Sequence, residues 1–129
     1  MISEDSTVLV VVDVQEKLIP VMHQSDQLIT NIQKLIQCAS ILSVPVIHTE
    51  QRPERLGPTV APIRDFFSKP PILKTMMSAA RCQEFKNKLA GIEAMRENAV
   101  KSASFELAIF DLVKDSLHPK FKEILGVIK

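Results

Sequence analysis

Apolar residues form two uninterrupted runs near the start of the chain. Residues 7–12 read Thr-Val-Leu-Val-Val-Val and residues 44–49 read Val-Pro-Val-Ile-His-Thr. Neither run alternates with polar residues, which predicts strands buried on both faces, as in a parallel sheet covered by helices. Shorter runs predict further strands at 71–74 and 99–104.

Between the strands, apolar residues recur every three or four positions. This spacing predicts a helix from Ser25 or Asp26 to about Leu42, and others at 79–89 and 105–114. A last helix is predicted to start at Pro119, because proline is favoured at the first helical position. The stretch 50–62 is rich in proline and is predicted to be a loop, followed by a short helix at 63–68.

The alternation of strands and helices predicts a three-layer α/β/α fold with a parallel sheet. The chain has 129 residues and shows neither a linker nor an internal repeat. We therefore expect one domain spanning residues 1–129.

Composition narrows the classes of function. The net charge of +1 lacks the basic excess of a general nucleic-acid binder, and no apolar stretch approaches the length needed to cross a bilayer. Three glycines in the whole chain argue against a glycine-rich phosphate loop, and we expect no cofactor. Two cysteines without a CxxC spacing suit a reducing compartment, so a cytoplasmic location is expected.

Two charged residues end predicted strands, and parallel sheets bind ligands at the carboxyl ends of their strands. Asp13 follows the first strand, where it could act as a base or cap the next turn. Lys74 ends the third strand, where it could stabilise an anion or simply be exposed. Together they are the candidate catalytic residues.

Other candidates are weaker. His48 lies in an apolar run and is as readily a core histidine as a site residue. The histidines show no ligand-like spacing, so no metal site is predicted. Cys82 and Cys38 fall inside predicted amphipathic helices, where a cysteine is usually inert packing rather than a nucleophile.

The chain resembles the isochorismatase-like cysteine hydrolases along nearly its whole length. The resemblance is carried by residues 8–17, 44–53, 56–59, 74–78 and 118–124, which include Thr-Glu-Gln-Arg-Pro and His-Pro-Lys-Phe-Lys-Glu-Ile. The last of these segments resembles the short branch known as isochorismatase domain-containing proteins.

The resemblance implies hydrolysis of an amide or related C–N bond of a small molecule by an Asp-Lys-Cys triad. It gives the Asp role to Asp13 and the Lys role to Lys74, with Gln15, His48 and Gln51 as expected substrate contacts. In that mechanism the Asp takes the thiol proton, the Lys holds the charge, and backbone amides bind the oxyanion.

The nucleophile is not carried over. Residues 91–94, Gly-Ile-Glu-Ala, resemble the start of the family's cysteine segment, but Glu97 stands where the cysteine belongs. By this resemblance the chain lacks a segment of about 50 residues, roughly one β-α-β unit, which would carry the nucleophile and strands four and five.

Two interpretations follow: a hydrolase lineage represented here by a shortened chain, or a catalytically inactive module that binds a ligand or partner. Because an exposed strand edge is costly, we expect a homo-oligomer. A flavodoxin-like receiver, the third alternative, is disfavoured because its additional acidic residues are missing.

Overall fold

The computed structural model describes residues 3–76, 81–90 and 118–128 of the chain. Within these residues a parallel sheet has the order β1-β2-β3. Its strands are β1 (Leu9–Val12), β2 (Val46–Gln51) and β3 (Ile72–Lys74). This confirms the predicted α/β class and parallel sheet, with strand β2 displaced two residues toward the carboxyl end.

Helices cover both faces of this sheet. On one face lie α1 (Ser25–Ile41) and the last described helix, α5 (Phe121–Ile128). Cys38 and Ile124 meet there in one buried apolar cluster. On the opposite face lies α4 (Gln83–Ala90), where Phe85 packs with Ile47 and Ile72 of the sheet. Burial on both faces explains why the strands do not alternate in sequence.

The segment 50–62, which was predicted to be a loop, contains regular secondary structure. Its first two residues belong to β2, and it contains the one-turn helix α2 (Pro53–Leu56). A second short helix, α3 (Ala61–Arg64), replaces the helix predicted at 63–68. Both helices have proline in their first turn, where the missing N–H costs no hydrogen bond.

Two predicted helix starts were wrong. Helix α4 begins at Gln83, so Cys82 precedes the helix rather than lying inside it. Helix α5 begins at Phe121, and Pro119 lies in the preceding turn. There the Nδ1 atom of His118 accepts a hydrogen bond from the backbone N–H of Lys120 at 3.0 Å.

Several predictions fall outside the described residues. They are the strand at 99–104, the helix at 105–114, the segment around Glu97, and the expected absence of strands four and five.

Candidate functional site

Asp13 and Lys74 lie side by side at the carboxyl edge of the sheet. The Nζ atom of Lys74 is 2.6 Å from Oδ2 of Asp13. The Lys74 side chain is fully buried, whereas the Asp13 side chain keeps 13% of its surface exposed. A ligand approaching this edge therefore reaches the carboxylate, with the cation behind it.

The backbone of Asp13 turns sharply after β1. Its φ of 53° lies in the left-handed region, which costs free energy for any residue but is better tolerated by aspartate than by most. The N–H of Asp13 donates to the carbonyl of Thr49 at 3.2 Å, and the hydroxyl of Thr49 donates to Oδ1 of Asp13 at 2.8 Å. Strand β2 thus holds both the backbone and the carboxylate in place.

Gln51 joins the same group of polar atoms. It is paired with Lys74 in the parallel register, and its Oε1 atom accepts a hydrogen bond from the lysine Nζ at 3.2 Å. The carbonyl of Met76 accepts a further bond from the same Nζ at 3.0 Å. Several acceptors around one ammonium compensate for its removal from water.

Gln15 has no exposed surface, and its amide binds backbone atoms. Its Nε2 atom donates to the carbonyls of Gln51 and Gly57 at 3.0 and 2.8 Å, and its Oε1 atom accepts from the N–H of Gln51 at 2.7 Å. This geometry makes Gln15 a clamp that fixes the end of β2 and the segment after it.

Sequence reasoning missed Glu50 and Thr59. Glu50 is buried, and its Oε2 atom accepts hydrogen bonds from the backbone N–H and the hydroxyl of Thr59 at 2.6 and 2.7 Å. Arg64 then binds the carbonyl of Thr59 at 3.0 Å and the carboxylate of Glu16 at 2.9 Å. The signal available in the sequence was a carboxylate directly after a predicted buried strand.

His48 lies apart from the Asp13–Lys74 pair. It is buried on β2, and its ring stacks on that of Phe67 with centroids 3.6 Å apart and planes 7° from parallel. Burial lowers the pKa of His48 below 6.5, and the negative charge of Glu50 opposes this shift. The structure therefore brings Asp13, Gln15, Gln51 and Lys74 together but leaves His48 outside the group.

Both cysteines of the sequence fall among the described residues and both are free thiols. Cys38 lies in α1, where it is fully buried against α5, and burial raises its pKa to about 11. Cys82 is buried against Ile47 and Ile72, and its Sγ atom lies 3.8 Å from the carbonyl of Leu73.

The described residues contain no group of three or more His, Cys, Asp or Glu side chains that could hold a metal ion. No helix among them is long and apolar enough to cross a membrane.

A parallel sheet between helices, with a buried Lys-Asp pair at the carboxyl ends of its strands, defines an α/β protein with polar groups at the edge where such sheets bind ligands. The model of the isochorismatase domain matches residues 7–102, and the chain belongs to this family.

Of two similar relatives, one aligns with almost the whole chain and the other with less than half of it. Isochorismatase domain-containing protein 2A of Mus musculus is 26% identical over 172 aligned positions, which take up 97% of this chain and 84% of the relative. Isochorismatase domain-containing protein 2 of Danio rerio is 42% identical over 59 residues, 46% of this chain and 30% of the relative. Because 172 positions exceed the 129 residues of this chain, the mouse relative carries segments without a counterpart here.

Two solved structures share the fold. The MAR1 ribonuclease of Caenorhabditis elegans has a TM-score of 0.81 and 22% identity, covering 98% of this chain and 91% of that one. YcaC from Pseudomonas aeruginosa has a TM-score of 0.64 and 19% identity, covering 70% of this chain and 48% of that one.

Proposed function

We propose that the protein is a small-molecule-binding member of the hydrolase fold. It retains the base and cation of a hydrolase of amide or related C–N bonds but lacks the thiol nucleophile. The observation that carries this proposal is the Asp13–Lys74 pair, with 2.6 Å between Oδ2 and Nζ and the carboxylate partly exposed.

The ligand binds at the carboxyl edge of the sheet in this proposal. Asp13 accepts a hydrogen bond from an N–H or O–H group of the ligand, and Lys74 holds that carboxylate in place by donating to its Oδ2 atom. The side chain of Gln51 accepts a hydrogen bond from Lys74 and so helps to hold the ammonium group, and Gln15 holds the backbone of Gln51. Gln15 is thereby reassigned from an expected substrate contact to a positioning residue.

Thiol-dependent hydrolysis would have to use Cys38 or Cys82. The burial and raised pKa of Cys38 disfavour its thiolate, which is the reactive form. Cys82 is buried in an apolar cluster with Ile47, Ile72 and Phe85, and its thiol donates to the backbone carbonyl of Leu73 at 3.8 Å. We therefore expect no hydrolysis of amides through a cysteine.

The test uses benzamide and nicotinamide as amide probes. Binding is measured by calorimetry and ammonia release by a coupled assay, with wild type, Asp13→Asn and Cys82→Ala. We expect saturable binding that Asp13→Asn weakens and Cys82→Ala leaves unchanged, with no ammonia released. Ammonia release abolished by Cys82→Ala would overturn the proposal and make Cys82 a nucleophile.

A second candidate is cleavage of RNA. Its supporting observation is the buried Lys74 beside the partly exposed Asp13, because a base and a cation need no thiol partner when the substrate supplies its own nucleophile. Asp13 would take the proton of a ribose 2′-hydroxyl, the oxygen would attack the adjacent phosphorus, and the 5′-oxygen would leave with its electron pair. The MAR1 likeness, at 22% identity, supports the fold of such an enzyme.

A single-stranded RNA oligonucleotide and its 2′-deoxy counterpart distinguish this candidate. Cleavage of the RNA alone, lost in Asp13→Asn, would support it. An intact RNA after prolonged incubation with wild type would eliminate it.

We also propose that the chain forms a homo-oligomer in the cytoplasm. In the described part of the sheet β1 is a terminal strand, and Val12 on it is 51% exposed. Two free cysteines agree with a reducing compartment. Sedimentation velocity tests the assembly, and a stable monomer across the micromolar range would contradict it. Fluorescence microscopy of the tagged protein tests the location.

A further inference from the structure

A second concave surface lies away from the Asp13–Lys74 pair. A cleft of about 660 Å³ runs along the amino-terminal half of β2, between α1, α4 and the segment before β3. Ile36, Ile47 and Ile72 are among its lining residues, whereas Asp13, Gln51 and Lys74 are not. Its volume is within the range typical of small-molecule sites.

The sequence explains why the sheet leaves a gap there. Strand β3 pairs only with Thr49–Gln51, so the preceding residues of β2 pair with β1 alone. Pro70 and Pro71 come immediately before β3. Because proline has no N–H to donate to a ladder, the two prolines prevent β3 from extending backward along β2.

The cleft combines an apolar floor with a positive rim. The stacked rings of His48 and Phe67 line it, and the neighbouring Phe66 is 38% exposed. Among its described lining residues the charged ones at neutral pH are Lys69 and Lys88, and none is acidic. Both lysines are exposed at the surface. The remaining polar groups are the side chains of Ser40, Ser43, Ser68 and Asn87.

We propose that this cleft binds a small organic carboxylate with an apolar, ring-containing body. The apolar floor and the Phe67 ring receive the body of the ligand, and Lys69 and Lys88 attract its carboxylate. Removal of apolar surface from water provides most of the binding free energy, while the two cations select for negative charge. This site is additional to the one under the proposed function and does not depend on it.

The absence of Trp and Tyr from the chain makes a fluorescent probe practical, because the protein contributes little competing emission. Naphthalene-2-carboxylate is titrated with the full-length protein, and 2-naphthylmethanol serves as the neutral probe of similar shape. We expect saturable binding of the carboxylate at one site per chain, with the neutral probe binding about tenfold more weakly.

Variants locate the probe. The double variant Lys69→Ala/Lys88→Ala should weaken carboxylate binding about tenfold and leave the neutral probe nearly unaffected. The matched control Lys17→Ala/Lys122→Ala removes two exposed lysines outside the described lining and should bind as wild type does. Equal effects of the two double variants would overturn the proposal.

Asp13→Asn separates this site from the proposed function. We expect it to bind naphthalene-2-carboxylate as wild type does, even if amide binding is lost or was never present. Loss of the naphthoate signal in Asp13→Asn that circular dichroism shows to be folded would place the probe at the carboxyl edge of the sheet and refute the cleft as its site. Non-saturating binding of both probes would refute it as well.

Discussion

The Nζ atom of Lys74 lies 2.6 Å from Oδ2 of Asp13, and only the aspartate of the two side chains retains exposure. The pair joins the end of β3 to the residue after β1, with β2 between them. The pair therefore spans all three strands of the described sheet. Because each charge compensates for the burial of the other, the two candidate catalytic residues also stabilise the fold.

Removing either partner should destabilise the protein strongly. Lys74→Met leaves the Asp13 carboxylate without its cation, and Asp13→Asn leaves the buried ammonium without its counter-charge. Each should lower the free energy of unfolding by about 3–5 kcal/mol, measured by urea denaturation. The double variant should lose less than the sum of the two, because neither charge is then left unpaired.

The exposed ion pair between Arg64 and Glu16 is the control for these single and double variants. Its side chains are about half exposed, and Glu16→Gln should cost less than about 1 kcal/mol. Strict additivity of Lys74→Met and Asp13→Asn would show that the two charges are not coupled.

Gln15→Leu should also be destabilising. The change leaves the N–H and carbonyl of Gln51 and the carbonyl of Gly57 without their side-chain partner. We expect a loss of about 3 kcal/mol in the free energy of unfolding. Gln33→Leu, which removes one exposed bond to the carbonyl of Pro62, should cost far less. Similar losses for both would contradict the clamp.

Gly57 and Gly126 should respond in opposite directions to alanine. Gly57 has φ 80° and ψ 169°, a conformation nearly confined to glycine, and a Cβ there would lie 3.2 Å from Cβ of Glu16. Gly57→Ala should lower the free energy of unfolding by about 1–3 kcal/mol. Gly126 lies in α5 with open space around it, so Gly126→Ala should raise it by about 0.5–1 kcal/mol.

Thermal unfolding measured for the two variants side by side checks this prediction. A stabilised Gly57→Ala variant would show that the segment after β2 does not require glycine.

His48 should make the protein less stable as the solution is acidified. Burial lowers its pKa in the folded state below 6.5, so the unfolded chain takes up a proton first as pH falls. The free energy of unfolding therefore keeps its full His48 contribution above about pH 6.5 and declines below it, toward the folded-state pKa. Urea denaturation between about pH 7.5 and 5.5, the range in which histidine titrates, measures the slope.

His48→Phe keeps an aromatic ring beside Phe67 without a titrating group and should reduce that slope. His23→Gln, which changes an exposed ring, should retain it. An unchanged slope in His48→Phe would refute the assignment.

The site was predictable where it depended on strand ends. Asp13 and Lys74 each follow an apolar run, and parallel strands end at one edge, so their proximity followed from the pattern. The role of Gln15 did not follow, because a buried amide and a substrate contact look alike in sequence. Glu50 and Thr59 were missed for a similar reason: their bond joins residues on either side of a turn whose path the proline pattern does not specify.

The surroundings of His48 and Cys82 were likewise not predictable from the sequence alone. Periodicity predicted a histidine on a buried strand but not its stacking on Phe67, a residue from a different segment. It also placed Cys82 inside a helix, whereas the helix begins one residue later. Helix ends depend on tertiary packing and capping as much as on local propensity.

The sequence by itself determined the parallel sheet and the two strand-end charges, because burial on both faces leaves uninterrupted apolar runs that end at these residues. Its motifs, rather than this pattern, carried the resemblance to the isochorismatase-like family. Tertiary structure alone decided which polar groups meet. The ion pair of Asp13 and Lys74, the clamp of Gln15 and the cleft beside His48 all join residues far apart in the chain. Their positions depend on the register of β1, β2 and β3, and hydrogen bonding fixes that register only once the sheet has formed.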